Sequence, residues 1–313
     1  MSTHRTEHTL TVDAPARVLY DLVSDAGTWP AVFGPSVYVR HLERDANRER
    51  FRIWAVVNDE VRSWTSRREL DPQGLSVTFR QEHSRPPLSS MGGGWRFREL
   101  PGGRTEIVLE HVFETDGTPE ALTWVTAALD RNSPEELAAL ARIATLAPRP
   151  QDVVVSFTDT VEVPGTAAEA YDFIHRADLW ERRLPHVERV SLREDAQGAQ
   201  VLEMSTRTAD GAAHETRSIR ICEPGAWIAY KQQLTPALLL GHSGLWTFTD
   251  GTGGTGGAVV TSRHTAVISP EAVPAVLGPG RTLADAREYV RTALSRNSLA
   301  TLEAAAAQAR AAR

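Results

Sequence analysis

The alternation of apolar and polar positions divides the chain into two halves that repeat one order of elements. In the first half, residues 8–12 alternate and predict a short strand, and apolar residues within 18–23 follow the spacing of a helix. Turn signals separate the segments that come next, so the pattern predicts strands at residues 36–42, 50–57, 61–70, 75–81, 95–99 and 106–113. Their hairpin-length connections predict an antiparallel meander, which a long helix at residues 119–147 is expected to close.

Two local motifs predict helix boundaries in this half. Asp13 is expected to cap the first helix, with Pro15 in its first turn. Within the long helix, Ser133 followed by Pro134 and by Glu136 resembles a fresh N-cap with a capping-box glutamate. Because an internal proline removes a backbone donor, we expect a kink or a restart at this point.

The second half repeats the same programme. Thr166 and Glu169 form a predicted capping box for a short helix, which a strand at residues 153–163 precedes. Further strands are predicted near Val190 and at residues 201–205, 213–222, 227–233, 244–249 and 258–268, before a helix at residues 283–313. The glycine-rich residues 251–257 predict a hairpin tip and not a phosphate loop, because no lysine or strand-to-helix context accompanies them. We therefore expect an α+β chain with domains at residues 1–147 and 153–313, joined by a linker at 148–152.

One strand motif is present in both halves and indicates a functional site. Along residues 61–72 the alternation directs Trp64, Ser66 and Arg68 to one side. Ser218 and Arg220 repeat the serine and the arginine 152 residues further along, before a second acidic-proline turn. A face that combines tryptophan, serine and arginine is typical of the wall of a polar and aromatic cavity, and not of a dry core.

Composition limits the classes of function. The 313 residues are 41% hydrophobic and 24% charged with a formal charge of −6, which is typical of a soluble globular protein. The absence of Lys/Arg runs argues against nucleic acid or an anionic membrane as partners. The single Cys222 and the lack of an apolar signal core favour the cytoplasm. Neither a metal-ligand cluster nor a dinucleotide fingerprint occurs, so we expect no metal and no cofactor.

Matching side chains in the two halves carry a resemblance to a known family. They are Trp29-Pro30, Trp64-Thr65-Ser66-Arg67-Arg68, Trp95, His111 and Asn132-Ser133 in the first half, and Trp180, Ser218, Arg220, Trp246, His264 and Asn297-Ser298 in the second. In this order they resemble the aromatase/cyclases of bacterial type II polyketide synthases, in their two-domain form. The resemblance implies two tandem helix-grip (START/Bet v 1-like) domains, each a curved antiparallel sheet around a long C-terminal helix with an internal cavity.

The resemblance implies first-ring aldol cyclisation and dehydration, or aromatisation, of a poly-β-ketone bound to acyl carrier protein. The implied partners are that carrier, the minimal polyketide synthase and a ketoreductase, since two-domain members resemble those of pathways in which one ketone is first reduced. The ring then joins carbons seven and twelve. Such chemistry needs a fixed cation for an enolate or alkoxide and a group that moves protons, in a cavity that folds the chain.

Candidate residues follow from these requirements. Arg68 suits the cation because a guanidinium stays charged, His111 suits the proton shuttle, and Ser66 can orient a carbonyl or a water. Arg220, His264 and Ser218 are the corresponding catalytic candidates of the second half. The expected substrate-binding side chains are Trp29, Trp64, Trp95, Tyr38, Asn132, Trp180, Trp246 and Asn297, with Tyr38 placed on the same strand face as Ser36.

Other interpretations remain open. Arg68 can be an ordinary solvated strand arginine, a single histidine such as His111 is often structural, and tryptophans commonly serve packing. A non-catalytic carrier of a hydrophobic ligand is the main alternative function, and a chaperone-like interaction module is a third. The sequence does not rank the two halves by activity, and it gives neither the chain length of the substrate nor the oligomeric state.

Overall fold

The chain forms two compact units, Met1–Pro150 and Gln151–Arg313, in a computed structural model. The model describes residues 2–146, 149–185, 187–195, 198–207, 213–251 and 257–311. Each unit combines an antiparallel sheet with a long helix at its C-terminal end, which confirms the predicted α+β helix-grip fold. Pro148, at the start of the predicted linker, lies outside the described residues, and the segment after it begins a helical turn, Pro150–Val153. No helix among the described residues is long and apolar enough to cross a membrane.

The first unit contains a sheet of seven strands within its described residues. The strands are β1 (Thr3–Val12), β2 (Ser36–Arg44), β3 (Arg48–Val57), β4 (Glu60–Asp71), β5 (Ser76–Gln81), β6 (Leu88–Leu100) and β7 (Arg104–Thr115). They are ordered β1-β7-β6-β5-β4-β3-β2, so β2 to β7 form the predicted meander and β1 pairs with β7. From β2 to β7 each strand therefore pairs with the next strand in sequence. The first strand, β1, lies at the opposite edge of the sheet from β2 and pairs with the last, β7.

The helices of the first unit pack on one face of this sheet. They are α1 (Ala16–Ser24), α2 (Trp29–Val32) and α3 (Pro119–Ala144). Pro15, and not Asp13, occupies the N-cap position of α1, without a side-chain cap. A restart at Pro134 does not occur, since α3 is one helix that Thr118 caps through its side chain, and the alternative of a kink there stays a prediction. Buried apolar residues continue along α3 on both sides of Pro134, and their packing offsets the lost backbone bond.

The second unit repeats this arrangement. Its sheet, again of seven strands among the described residues, is ordered β8-β14-β13-β12-β11-β10-β9. The strands are β8 (Val154–Pro164), β9 (Val187–Glu194), β10 (Ala199–Arg207), β11 (Ala213–Glu223), β12 (Trp227–Leu234), β13 (Leu239–Asp250) and β14 (Gly257–Ile268). The helices are α4 (Pro150–Val153), α5 (Ala167–His175), α6 (Trp180–Arg183), α7 (Val273–Leu277) and α8 (Leu283–Ala311). Thr166 and Glu169 form the predicted capping box of α5. Most of the predicted hairpin tip, residues 252–256, lies outside the described residues.

Two strands begin earlier than the pattern predicts. Strand β6 starts at Leu88 and β13 at Leu239, whereas the apolar pattern begins at Trp95 and Gly244. Glycines cause this difference, because Gly93 interrupts the alternation while it is paired inside the sheet. An ideal Cβ on Gly93 would lie 1.9 Å from the backbone oxygen of Glu110. Glycine therefore permits a close approach of strands here and does not mark a turn.

Candidate active site

The repeated strand motif lies on the inner face of each sheet, the face that carries the helices. In β4, Ser66 and Arg68 are buried while Arg67 and Glu69 are exposed, as the alternation predicts. Trp64 packs with the buried Phe51 and Ile53 on the same face. The strand therefore presents tryptophan, serine and arginine to the interior of the first unit.

Arg68 is buried among groups that accept hydrogen bonds from its guanidinium. Only 2% of the residue is exposed. Its Nε donates to Oε1 of Glu49 at 2.6 Å, and its two terminal nitrogens donate to the backbone oxygens of Val23 (2.9 Å) and Ser24 (2.8 Å) at the end of α1. The guanidinium also lies over the ring of Trp29, 4.6 Å from its centroid. Burial lowers the pKa of Arg68, and the Glu49 carboxylate opposes that shift.

These contacts give Arg68 a structural role that the sequence did not predict. The carbonyl end of a helix carries partial negative charge, so the guanidinium anchors α1 to the sheet while Glu49 balances its charge. Glu49 itself is fully buried and also lies 3.1 Å from Nε2 of His41. Although burial alone would raise the pKa of Glu49, the His41 contact and the Arg68 charge hold it below its ordinary value. The catalytic role of Arg68 stays a prediction.

His111 lies on the inner face of β7. It pairs with Gly93 on one side and Thr6 on the other, and it meets the edge of Phe79 at 5.5 Å between ring centroids. Its Nδ1 is buried and has no hydrogen-bond partner among the described residues. Burial, together with the neighbouring His8, lowers the pKa of His111 to about 4. The imidazole is therefore neutral near pH 7 and presents an unused polar atom to the interior.

The predicted binding side chains of the first unit have unequal positions. Trp29 donates from Nε1 to the oxygen of Val23 at 3.1 Å, and Trp95 is 4% exposed and stacks near Phe33. Asn132 donates to the oxygen of Val56 at 3.1 Å, so it ties α3 to the end of β3. These three side chains therefore contribute to packing and to contacts between helices and sheet. That they also contact substrate stays a prediction.

Tyr38 is on the other face of the sheet. It pairs with Trp54 and stacks on it at 5.5 Å, whereas Ser36 pairs with Ala55 and shares the face of Ile53. The expectation that Ser36 and Tyr38 share a face is wrong because the register shifts between them. A bulge adds one residue and reverses the alternation that follows.

Arg220 occupies the position of Arg68 in the second unit, but its surroundings differ. It is 3% exposed and donates to the oxygens of Ile174 (2.5 Å) and His175 (3.4 Å) at the end of α5. Trp180 lies beneath the guanidinium at 5.5 Å. Gln200 stands opposite Arg220, where the first unit has Glu49, and the charge of Glu194 partly opposes the effect of burial on the pKa of Arg220. Burial lowers the pKa of Arg220.

His264 belongs to a chain of buried polar groups. The amide oxygen of Gln232 only accepts, so Nδ1 of His242, 2.9 Å away, carries a proton. Nε2 of His242 then accepts from Nδ1 of His264 at 3.1 Å, and Nε2 of His264 accepts from Ser298 at 2.8 Å. Burial lowers the pKa of His242 to about 3 and that of His264 to about 4, so both rings are neutral. The phenol of Tyr230 lies 3.1 Å from Nδ1 of His264, and burial raises its pKa.

The other candidates of the second unit are split between the interior and the surface. Ser218 pairs with Gln232 on the inner face, and Trp246 is part of the apolar core. Asn297 is exposed on α8, while its neighbour Ser298 faces the sheet and reaches His264. The network residues His242 and Tyr230 were not singled out from sequence, and Ser298 was noted only beside Asn297 and not as a candidate, because their contacts join segments that are distant in sequence.

Several inner-face side chains keep accessible surface although they lie in the middle of the sheet. In the first unit they include Trp64, Phe79, Gln81 and His111, and in the second Thr216, Ser218, Tyr230 and Gln232. A solidly packed core would remove this surface. The inner face of each unit therefore borders a hollow or a cleft with aromatic and polar walls.

Comparison with known proteins gives a consistent set of relatives. Residues 12–135 match the family described as polyketide cyclase / dehydrase and lipid transport. The granaticin polyketide synthase bifunctional cyclase/dehydratase of Streptomyces violaceoruber is 54% identical over 97% of this chain and 93% of its own length. The actinorhodin polyketide synthase bifunctional cyclase/dehydratase of Streptomyces coelicolor is 50% identical over 98% of this chain and 97% of its own.

Two crystal structures are similar over nearly the whole chain. The di-domain ARO/CYC BexL from the BE-7585A biosynthetic pathway is 44% identical with a TM-score of 0.81, over 98% of both chains. The di-domain ARO/CYC StfQ from the steffimycin biosynthetic pathway is 38% identical with a TM-score of 0.79, over 98% of this chain and all of its own. The similarity therefore includes both units and not only the first.

Proposed function

The chain belongs to the family of the polyketide synthase bifunctional cyclase/dehydratases, and from this premise we propose that it closes and dehydrates the first ring of a poly-β-ketone bound to acyl carrier protein. The observation that carries the proposal is the similarity over both units to relatives that are named for these two reactions. The polar groups on the inner faces support it, because a ring closure of this kind needs fixed charges and proton donors within a hollow.

The chemistry proceeds through an enolate. A methylene flanked by two carbonyls loses a proton, its carbon attacks a distant ketone, and the alkoxide takes up a proton. Loss of water then gives the double bond of the new ring. We assign stabilisation of the enolate or alkoxide to the guanidinium of Arg68 or Arg220. We assign orientation of a carbonyl to Ser66 or Ser218. His111 and His264 are assigned to hydrogen bonding and proton movement at these oxygens.

The two units are suited to unequal roles. Glu49 bonds directly to Arg68, whereas at Arg220 the position of that glutamate is occupied by Gln200 and, among the described carboxylates, only the charge of Glu194 acts on the guanidinium. Conversely, His111 has an unused nitrogen, while both nitrogens of His264 are bonded within the network. A cation without a directly bonded carboxylate favours an anionic oxygen, and an unused nitrogen favours proton exchange, so we propose that both units take part.

The partners and the location remain proposals. The names of the relatives indicate a polyketide synthase system. Within it we propose acyl carrier protein as the donor of the chain, with the minimal synthase and a ketoreductase acting earlier, in the cytoplasm. We further propose that the ring joins carbons seven and twelve of a chain with one reduced ketone. A simple carrier of hydrophobic ligands would not need buried arginines and histidines on the inner faces.

The test is reconstitution with a minimal synthase and a ketoreductase. The wild-type protein should convert the shunt products of the synthase into a first-ring aromatic product, and Arg68→Ala and Arg220→Ala should each lower that conversion. Arg67→Ala is the matched control, because Arg67 lies on the exposed face of the same strand. If the wild-type protein left the shunt products unchanged, the proposal would be wrong. Loss in only one arginine variant would assign the active unit.

A further inference from the structure

His8 stands beside His111 on the inner face of the first unit. It lies on β1, where it pairs with Leu109 of β7, two residues from His111. Its Nε2 is 3.3 Å from Oδ1 of Asp130 on α3. Its Nδ1 is buried and has no hydrogen-bond partner among the described residues. The imidazole is thus held through Nε2 by a carboxylate, while its buried Nδ1 has no partner among the described residues.

Two further polar atoms next to His8 share this condition. Oγ1 of Thr6 and Nδ1 of His111 are buried and lack partners in the described part of the chain, and the two residues pair directly across β1 and β7. An unsatisfied buried polar group costs about 1–3 kcal/mol, so neighbouring ones are unusual in a structural core. A polyketone offers carbonyl oxygens that can accept from the Thr6 hydroxyl, and its enolic O–H and acidic C–H groups are partners for a nitrogen lone pair.

The contact with Asp130 determines which atom of His8 can react. A carboxylate only accepts hydrogen bonds, so Nε2 of His8 carries a proton, and in the neutral form of the ring the lone pair therefore lies on Nδ1. A base held by a third group in this way is the arrangement that activates histidine in many enzymes. No carboxylate among the described residues bonds to His111, and burial with the nearby His8 lowers its pKa to about 4, which makes it a weak base.

The second unit does not repeat this pair of residues. Phe157 and Asp159 of β8 stand where Thr6 and His8 stand in β1, as their pairing with His264 and Ser262 shows. Ser295 of α8 donates to Oδ2 of Asp159 at 2.6 Å, at the place of the Asp130 contact. Both units therefore have a hydrogen bond between the long helix and the first strand at this position. Only in the first unit is the strand residue a histidine.

We propose that His8, oriented by Asp130, is a further catalytic residue of the cyclisation and dehydration. In the first step Nδ1 of His8 takes a proton from the methylene carbon, and the C–H electron pair becomes the enolate. The enolate carbon bonds to the ketone carbon, and the protonated imidazole returns the proton to the alkoxide. In the dehydration Nδ1 removes a second carbon proton and returns it to the departing hydroxyl, which leaves as water. This inference rests on the proposed function.

The experiment compares variants in the reconstituted system. We expect His8→Gln to lower the rate of first-ring product formation by about 100-fold, within the range for loss of a general base. Asp130→Asn should lower it by about 10-fold, because the ring loses the carboxylate that fixes its orientation. Imidazole added to the buffer should restore part of the activity of His8→Ala. Glu7→Gln is the matched control, since Glu7 is adjacent on β1 but exposed on the outer face.

Each outcome decides the proposal. A His8→Gln variant with the wild-type rate and product profile would overturn it. Loss of activity in His8→Ala that imidazole does not restore, together with unchanged activity in Asp130→Asn, would assign His8 a purely structural role and also overturn it. Asp130 is 61% exposed, so its variant should fold even if the His8 variants do not. Failure of the wild-type protein to alter the shunt products is a separate result and concerns the proposed function.

Discussion

Glu49 and Arg68 face each other across β3 and β4 and form an ion pair whose side chains are 0% and 1% exposed. The second unit keeps the arginine, as Arg220, but places Gln200 at the position of the glutamate. Both arginines bond to the carbonyl end of the first helix of their unit. Both units therefore anchor their first helix with a buried arginine. Only in the first unit does a glutamate face that arginine across the strands.

The Glu49–Arg68 pair should be important for the stability of the first unit. Glu49→Gln leaves the guanidinium buried without a counter-charge, and the free energy of unfolding should fall by about 3–5 kcal/mol. Glu69→Gln is the control, because Glu69 pairs with Arg48 in the same strands but both side chains are largely exposed. Such a pair contributes little. Urea denaturation measures both, and equal effects of the two substitutions would contradict the prediction.

Three buried histidines should make the protein sensitive to mild acid. The pKa values of His111, His242 and His264 are lowered to about 4, 3 and 4, below the ordinary value of about 6.5 that applies to the unfolded chain. Between pH 6.5 and the lowered pKa values, the unfolded chain binds more protons than the folded chain. The free energy of unfolding is therefore unaffected by these histidines above pH 6.5 and falls as the pH is lowered towards 4. Each histidine contributes a slope of up to about 1.4 kcal/mol per pH unit.

Thermal unfolding measured from pH 7.5 to 4 tests this pH dependence. His242→Met introduces the residue that the first unit has at the corresponding position, Met91, and it should reduce the slope. His242 and His264 are in contact, so their titration belongs to the pair. A variant whose unfolding temperature falls with pH as steeply as that of the wild type would show that His242 does not contribute.

Gly244 should not tolerate a side chain. An ideal Cβ at this position would lie 2.3–2.5 Å from the ring atoms of Tyr230, which crosses the glycine towards His264. Gly244→Ala should therefore displace the ring and lower the free energy of unfolding by about 1–3 kcal/mol. Gly27→Ala is the control, because the nearest atom to its Cβ is 3.4 Å away.

A double-mutant cycle isolates the cause. If the ring is what the new methyl group meets, Tyr230→Ala and Gly244→Ala should combine with less than additive destabilisation. Strict additivity would show that Gly244 is needed for another reason. In the first unit the ring of Phe79 lies over Gly93 in the same way. A Cβ there would be 2.7 Å from the Phe79 ring and 1.9 Å from the backbone oxygen of Glu110.

The sequence predicted what depends on alternation and on repetition. The periodicity of residues 61–70 placed Ser66 and Arg68 on the inner face, and the second copy gave Arg220. The partner of Arg68 could not be predicted, because Glu49 is 19 residues away and faces it only in the register of β3 with β4. Tyr38 was assigned to the wrong face because a bulge cannot be detected from alternation alone.

His8 and the His242 network show the same limit. His8 is one of two histidines in an edge strand, and its possible role depends on Asp130, 122 residues further along. His242 lies within a glycine-containing stretch that the pattern excluded from β13. Contacts between segments that are distant in sequence depend on sheet order and helix packing, which local periodicity does not encode.

Arg220 should be needed for activity more than for stability. It is buried on Trp180 and bonds to no described carboxylate, so the cost of its burial is offset by two carbonyl bonds, the Trp180 ring and the charge of Glu194, and not by an ion pair such as that of Arg68. Arg220→Met fills a similar volume without that cost, and we expect its free energy of unfolding to stay within about 1 kcal/mol of the wild type. Arg68→Met, in contrast, removes the buried partner of Glu49 and leaves that carboxylate with His41 and Arg44, so it should cost about 3 kcal/mol or more. Denaturation curves and product formation by both variants are the measurements, and strong destabilisation by Arg220→Met with intact product formation would contradict the prediction.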